Sequence, residues 1–209
     1  MRKLTAAKPV IGVVGGVGSG KSTAAAQFAR LGCALVDADR IGHELLAQPD
    51  VMDELRRHWG GRVFDSRGRV DRRALGDDVF EHPQQLAALN AILHPRIRRR
   101  MAEQIARACG DADVRGVVVD AALLFEAGCD DLCTHVVFLN CPAAERLRRV
   151  SRCRGWDEST WRGRENSQIP LDKKAQMCDY SVDSSSSAAH LAEQISDVFD
   201  RIADSLDRS

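Results

Sequence analysis

Four glycines within residues 15–20 constrain what this chain can fold into more than any other feature. Lys21 and Ser22 follow them directly. An apolar run at 10–14 precedes them and predicts a buried strand, while good helix formers follow at 22–31. Strand, glycine loop and helix in this order let backbone N–H groups point inward at a helix N-terminus, which favours an anion. The full spacing, G-x-x-x-x-G-K-[ST], is typical of loops that wrap the phosphates of a nucleotide.

The chemistry of such a loop gives its polar residues separate roles. The Lys21 ammonium would reach the β- and γ-phosphates, and the Ser22 hydroxyl would hold Mg²⁺. The alternative is a glycine loop that only connects a strand to a helix, but the complete pattern in this context favours a nucleotide site. The predicted nucleotide-binding residues are Gly16, Val17, Gly18, Ser19, Gly20, Lys21, Ser22 and Thr23.

Length and charge narrow the class of protein. The chain has 209 residues, enough for one domain with an inserted subdomain. Its 30 basic and 30 acidic residues cancel, so the overall balance does not suggest a nucleic-acid binder. No long apolar segment follows the basic start, and no run approaches the length of a membrane span. We therefore predict a cytoplasmic protein without nucleic-acid or membrane partners; its oligomeric state is open, and a monomer is compatible with the sequence.

The cysteines raise the question of a metal site. There are seven, scattered and without a C-x-x-C pair. Cys129, Cys133 and His135 lie close together in sequence and could be taken for metal ligands. However, His135 opens an apolar, strand-like run, and no second pair has the spacing of a structural zinc site. We interpret the cysteines as reduced, buried thiols.

Apolar runs alternate with helical segments along the rest of the chain. These runs predict further strands at 33–36, 116–120, 135–139 and 180–182. Because the alternation is strand, helix, strand, it predicts an α/β fold with a doubly wound, mostly parallel sheet. Its core would comprise residues 1–42 and 109–209 within a single unit of 1–209.

The stretch at 43–108 contains helical patterns but no strand, so we predict a helical, substrate-binding insertion there. Inside it, His94 precedes Pro95, and a residue before proline is disfavoured in helical conformation. This predicts a break between two helices. Residues 155–168 are polar and rich in arginine, and the serine turn at 184–187 is expected to be flexible.

Acidic residues follow two of the predicted strands, at the edge where ligands bind in open α/β sheets. A carboxylate at Asp37 or Asp39 could take a proton from a hydroxyl nucleophile or help to hold Mg²⁺. The alternative is that Asp39 only caps the helix that begins at Arg40. Asp120 ends the third strand and is the expected Mg²⁺-side partner of the glycine loop, although acids at strand ends are also common as solvated loop residues.

Seven arginines lie between positions 146 and 164. Arginines that swing over a transferring phosphoryl group neutralise the charge that it develops. The alternative is a solvated helix face, which suits several of them. We predict a lid segment at 150–175 and expect one or two of the arginines to act, with Arg149, Arg154 and Arg164 as the candidates.

Further short motifs resemble one protein family, the dephospho-CoA kinases, over nearly the whole chain. The similar segments besides the glycine loop are D-A-D at 37–39, R-R-A-L at 72–75 with Phe80, L-N-A-I-L-H-P at 89–95, L-L-F-E at 123–126, and Q-I-P-L at 168–171 with Lys174 and Asp179. The departures are Val14, Ala122, Cys178 and Ser184, which replace the family's usual Thr, Pro, Ala and Asn. None of them removes a group that phosphoryl transfer needs.

The resemblance implies a P-loop kinase that moves the γ-phosphoryl group of ATP to the 3′-hydroxyl of dephospho-CoA, the last step of coenzyme A synthesis. It implies ATP and Mg²⁺ as cofactors and Asp39 as the base. The residues by themselves indicate only phosphoryl transfer to a small molecule, so another small-molecule or nucleotide kinase is an alternative. A GTPase switch is disfavoured, because N-K-x-D is absent and the D-x-x-G match at Asp65 does not end an apolar strand.

Overall fold

The structure of the chain, a computed structural model, describes residues 8–207. Contacts divide the chain into two compact units. The first comprises the residues up to Asp37 and those from Gln104 onward, and the second is Ala38–Glu103. The second unit begins as soon as the second strand ends, so its limits lie before those predicted for the insertion, 43–108.

The first unit is built on a parallel sheet. Within residues 8–207 the strands are β1 Val10–Gly15, β2 Cys33–Asp37, β3 Gly116–Asp120, β4 His135–Asn140 and β5 Tyr180–Asp183. They pair in the order β2-β3-β1-β4-β5, and every pairing is parallel. All six residues of β1 are buried, as expected for a central strand with both faces covered. The predicted fold class is therefore confirmed, and each predicted strand is present.

Helices connect these strands. Over the same described residues they are α1 Lys21–Arg30, α2 Ala38–Leu45, α3 Pro49–Trp59, α4 Arg72–Glu81, α5 Pro83–Gly110, α6 Ala143–Arg154, α7 Glu158–Asn166, α8 Leu171–Gln176 and α9 Ala188–Asp207. Helices α1 and α9 pack on the sheet through a buried core that includes Phe28, Ile195 and Phe199. The rings of Phe28 and Phe199 meet edge to face with centroids 6.4 Å apart. Burial of apolar side chains is the main contribution to the free energy that holds such helices on a sheet.

The strand order determines what surrounds the glycine loop. Strand β1 lies between β3 and β4, with Val13 beside Asp120 and Gly15 beside Leu139. On the outer side of β3, Asp37 pairs with Asp120. Because parallel strands end at the same edge, the loop that leaves β1 emerges next to the ends of its neighbours.

The second unit is helical and has a core of its own. Val51, Leu55 and Trp59 from α3 are buried together with Leu75 from α4. The Trp59 indole Nε1 donates to Asp78 Oδ2 at 2.7 Å, which satisfies its polar group. Across residues 8–207, no helix has both the length and the apolar character required to span a membrane.

The predicted helix break at Pro95 is wrong. Helix α5 continues from Pro83 to Gly110 with Pro95 inside it. A proline inside a helix removes one backbone hydrogen bond and crowds the preceding turn. Here the Arg96 guanidinium donates to the carbonyl oxygen of Ile92 at 2.8 Å and pairs with Glu54 at 2.6 Å. The carbonyl that loses its backbone donor is that of Ala91, one residue before Ile92. The Arg96 side chain contacts the next carbonyl of the same turn and ties the helix to α3.

Two further segments have a defined local structure. Residues 155–168 contain a helix, α7, whose N-terminus is capped by Asp157, with Thr160 N donating to Asp157 Oδ1 at 2.8 Å. The serine turn begins with a buried residue, Ser184, whose hydroxyl donates to Ser19 O at 2.8 Å. The cap of α7 joins residues that are neighbours in sequence, whereas the contact of Ser184 joins residues that are far apart.

Candidate active site

The glycine loop lies between β1 and α1, as predicted. Gly18 and Gly20 have φ values of +86° and +88°, a left-handed conformation that other residues rarely adopt. The backbone N–H of Ser19 donates to Gly16 O at 3.1 Å, which closes a tight turn. Gly20 precedes the first residue of α1, so the loop ends at the positive end of a helix dipole.

Lys21 folds back over this loop. Its Nζ donates to the carbonyl oxygens of Gly15 and Gly16, both at 3.1 Å. The ammonium is therefore held above the ring of backbone that the glycines form. A positive charge beside the glycine loop is in the position from which it can bind the phosphates of a nucleotide.

Ser22 and Asp120 meet at the start of α1. The Ser22 hydroxyl donates to Asp120 Oδ2 at 2.8 Å. A hydroxyl and a carboxylate oxygen are hard ligands, and Mg²⁺ is commonly held by one or two protein oxygens together with phosphates and waters. The side chains present thus fit the predicted metal, with Asp37 on the neighbouring strand.

A cleft of about 420 Å³ opens beside the loop, between α6 and the segment 184–188. It is lined by Gly18 to Thr23 of the loop and, from the other side, by Arg149 and Arg154. Arg149 is held in place twice: its Nε donates to Glu145 Oε1 at 2.8 Å and its Nη2 donates to Ser184 O at 2.6 Å. Two of the three selected arginines therefore face the loop.

The third selected arginine, Arg164, is not among the residues that line the cleft. Its guanidinium carbon lies 4.5 Å from the centroid of the Trp156 ring, and that of Arg154 lies 4.9 Å from the same centroid. Cation–π contacts of this kind orient arginine side chains. Trp156 thus links Arg164 to an arginine of the cleft.

Asp39 lies in the first turn of α2, because that helix begins at Ala38. It is two positions beyond Asp37, the last residue of β2. A carboxylate in the first turn interacts favourably with the helix dipole without being the N-cap. In the structural alternative, Asp39 would thus stabilise α2 through the helix dipole and not as its N-cap.

Glu126 and Lys174, two residues of the family-like motifs, form an ion pair in which Lys174 is buried and Glu126 is half-buried. Lys174 is only 1% exposed, and its Nζ lies 2.8 Å from Glu126 Oε1 and 3.0 Å from Gln168 Oε1. Glu126 also accepts from the backbone N–H of Ile169 at 2.8 Å. Because a buried charge needs such partners, this network anchors the end of the predicted lid segment to the loop after β3.

The sequence did not single out Arg146, Trp161 and Glu165, which lie against the glycine loop. The Trp161 Nε1–H donates to Val17 O at 3.0 Å, and the Arg146 guanidinium pairs with Glu165. One pattern in the sequence could have indicated that Arg146 packs inward: it lies four residues before Val150, which places both on one face of α6. The density of nearby arginines hid it.

Other sequence candidates have structural roles. Asp65 accepts from the backbone N–H groups of Arg67 and Arg69, each at 2.9 Å, so its D-x-x-G match belongs to a turn of the second unit. Cys129 and Cys133 are buried, but Cys153 is exposed and two other cysteines are half-buried, so the prediction of buried thiols is wrong for these three. Within residues 8–207, no group of three or more His, Cys, Asp or Glu could hold a metal. Burial raises the pKa of the Cys33 thiol to about 11, which keeps it protonated.

The sheet order and the lysine-bearing glycine loop define a P-loop kinase fold. The family model for dephospho-CoA kinase matches residues 9–190. The chain therefore belongs to the dephospho-CoA kinase family.

Individual relatives agree with this assignment. The chain is 34% identical to a dephospho-CoA kinase from Chlorobaculum tepidum, over 91% of this chain and 93% of that one. It is 36% identical to the enzyme of that name from Corynebacterium diphtheriae, with 93% and 97% covered. A solved structure from Thermus thermophilus is similar with a TM-score of 0.78 and 31% identity, covering 93% of this chain and 97% of that one.

Proposed function

We propose that this chain transfers the γ-phosphoryl group of ATP to the 3′-hydroxyl of dephospho-CoA, with the reaction centred on the start of α1, next to the cleft beside the glycine loop. The observation that carries the proposal is the arrangement at the start of α1. Lys21 stands over the loop carbonyls, and Ser22 is 2.8 Å from Asp120. Phosphate charge and Mg²⁺ can thus be held side by side, in a chain of the dephospho-CoA kinase family.

The loop would bind the polyphosphate through its backbone. Residues Gly16 to Thr23 present N–H groups at the N-terminus of α1, and Lys21 would move from its carbonyl partners to the β- and γ-phosphates. Bound Mg²⁺ would supply charge that neutralises the phosphate oxygens. Ser22 and Asp120 would hold the ion, one through a hydroxyl and the other through a carboxylate.

Asp39 would act as the base. It comes two positions after Asp37, the strand residue that pairs with Asp120, and acids that follow a strand are common where open α/β sheets bind ligands. A base there would accept the proton of the 3′-hydroxyl as that oxygen attacks the γ-phosphorus. Asp37 is the second candidate for this role.

Arg149 of α6 and Arg154, which lies in the predicted lid segment at 150–175, would neutralise the charge of the transferring group. Arg149 and Arg154 already line the cleft. Arg164 shares the Trp156 ring with Arg154, so we assign it the task of positioning Arg154. Preorganised cations of this kind supply a large part of catalysis in phosphoryl transfer.

The second unit would hold the pantetheine arm of the acceptor. It carries a large apolar side chain in water, Phe80, which is 61% exposed, and Leu86 is 37% exposed. Exposed apolar patches can mark ligand-binding grooves, and these two side chains would supply part of such a surface. An extended, partly apolar ligand such as the pantetheine arm is suited to cover them.

We also propose that the protein acts in the cytoplasm and that a single chain carries the groups that the proposed chemistry needs. All the proposed roles are filled by residues of one chain. The seven cysteines are free thiols, which is typical of a reducing compartment.

A coupled assay of ADP release, with dephospho-CoA as the only acceptor, tests the reaction. The unmodified protein should release ADP in proportion to the acceptor consumed. Lys21→Ala should reduce turnover by about 10²-fold or more, because a phosphate-binding charge is lost while no core residue changes. Arg30→Ala, at an exposed position of the same helix, is the matched control and should leave turnover unchanged. Near-normal turnover of Lys21→Ala would rule out the loop as the site.

A further inference from the structure

Arg146 is a buried arginine that the proposed chemistry does not use. It lies on α6 and is 4% exposed. Its Nε donates to Cys141 O at 3.0 Å, its Nη1 pairs with Glu165 of α7, and its guanidinium lies over the Trp161 ring at 5.1 Å. Burying a guanidinium is costly unless it is paired on several sides, as here.

The guanidinium packs against the glycine loop. A methyl group placed on Gly16 would lie 2.8 Å from Arg146 Cζ and 2.9 Å from Glu165 Oε1. One placed on Gly18 would lie 2.6 Å from the Arg146 carbonyl oxygen and 2.9 Å from Val150 Cγ1. Contacts this short leave no room for a side chain, so the loop backbone at both glycines rests on α6.

The residue between these glycines is held from α7. Val17 is buried with Val150 and Trp161 in one apolar cluster, and Trp161 Nε1 donates to Val17 O at 3.0 Å. Arg146 and Glu165 join α6 to α7 behind the loop. The three consecutive residues Gly16, Val17 and Gly18 are therefore supported from behind by two helices.

We propose that Arg146 and Trp161 are positioning residues that hold the glycine loop in the shape that binds the nucleotide. A loop with four glycines in six residues has many conformations open to it, and most of them point the N–H groups away from a phosphate. Contacts that select one conformation before binding raise affinity by removing the cost of ordering. The clamp, defined as Arg146, Trp161 and Glu165, does so from the side of the loop that faces the helices.

The clamp also joins the loop to the predicted lid segment. Trp161 and Glu165 belong to α7, whereas Arg154 of the cleft ends α6. The contacts that pack α7 against the glycine loop would therefore set both the shape of the nucleotide-binding loop and the position of the predicted lid segment. The inference rests on the proposed nucleotide site at the loop.

Arg146→Gln tests the clamp by removing the forked cation while keeping a polar side chain. We expect the KM for ATP to rise by about tenfold or more, as for loss of a hydrogen bond to a charged group. The KM for dephospho-CoA should stay within about twofold, since the acceptor does not bind the loop. A merely structural role would lower the amount of active enzyme, so kcat would fall with both KM values unchanged.

Two further variants keep the test decisive. Trp161→Phe retains an aromatic ring but removes the donor to Val17 O, and it should also raise the KM for ATP. Arg201→Gln, an exposed arginine of α9, is the matched control and should leave both KM values unchanged. A KM for ATP within about twofold of the unmodified protein in folded Arg146→Gln would overturn the proposal. If that variant does not fold, the same criterion applied to Trp161→Phe decides.

The failure of the clamp and the failure of the proposed function are distinguishable. If Lys21→Ala retains turnover, the loop is not the nucleotide site and the proposed function fails. If Lys21→Ala is inactive while both clamp variants bind ATP normally, only the clamp is wrong.

Discussion

The hydroxyl of Ser22 lies 2.8 Å from a carboxylate oxygen of Asp120, although 98 positions separate the two residues in sequence. The contact exists because β3 runs parallel to β1 and ends beside the loop that leads into α1. It places two hard oxygen ligands next to the lysine that would bind phosphate. The proposed Mg²⁺ site depends on this relationship.

Asp120→Asn should weaken the Mg²⁺ dependence of the reaction. The amide keeps the shape and can still accept from Ser22, but it lacks the negative charge that holds the ion. We expect the Mg²⁺ concentration for half-maximal activity to rise by about 10- to 100-fold. Titration of activity with Mg²⁺ at saturating ATP measures this, and the melting temperature serves as the check on folding. An unchanged Mg²⁺ titration would remove Asp120 from the metal site.

Asp39→Asn should reduce turnover on the order of 10²–10⁴-fold, because a general base is lost. The KM for ATP should change little, since the glycine loop is intact. As the residue lies in the first turn of α2, the lost charge costs about 0.3–1 kcal/mol of stability through the helix dipole. Turnover and melting temperature have to be measured on the same sample. Normal turnover with normal stability would transfer the base assignment to Asp37.

Glu145 should make folding stability depend on pH in acid. Hydrogen bonds from Arg148 and then from Arg149 lower the pKa of Glu145 from 4.5 to about 2. Between these pH values Glu145 is protonated in the unfolded chain but stays ionised in the folded protein. The free energy of unfolding therefore falls as the pH falls through this window. Glu145→Gln should therefore show a shallower decline of the free energy of unfolding between pH 4.5 and pH 2. Urea unfolding at several pH values measures the decline, and equal slopes in both proteins would contradict the assignment.

Shortening the acceptor tests the role of the second unit. If that unit holds the pantetheine arm, binding energy made far from the reacting hydroxyl contributes to catalysis. Adenosine should then be a poorer acceptor than dephospho-CoA, with kcat/KM lower by about tenfold or more. ADP release with each acceptor at the same ATP concentration measures the ratio. Equal kcat/KM values would show that the second unit does not bind the arm.

Local patterns in the sequence were sufficient for the parallel sheet and for the loop. Strand positions follow from apolar runs, and the loop follows from glycine spacing beside Lys21 and Ser22, because both depend on neighbours in the chain. The proximity of Asp120 to the loop could also be predicted, since parallel strands end at one edge.

Only the tertiary structure decided how the helices meet the loop. Proline by itself predicts a break, yet Pro95 stays inside α5, where the next residue, Arg96, contacts Ile92 and Glu54. Arg146 could not be told apart from its exposed neighbours, because its burial depends on Glu165 and Trp161 of another helix. Such contacts join residues far apart in sequence, so their side-chain geometry is set by the packing of whole elements rather than by any local pattern.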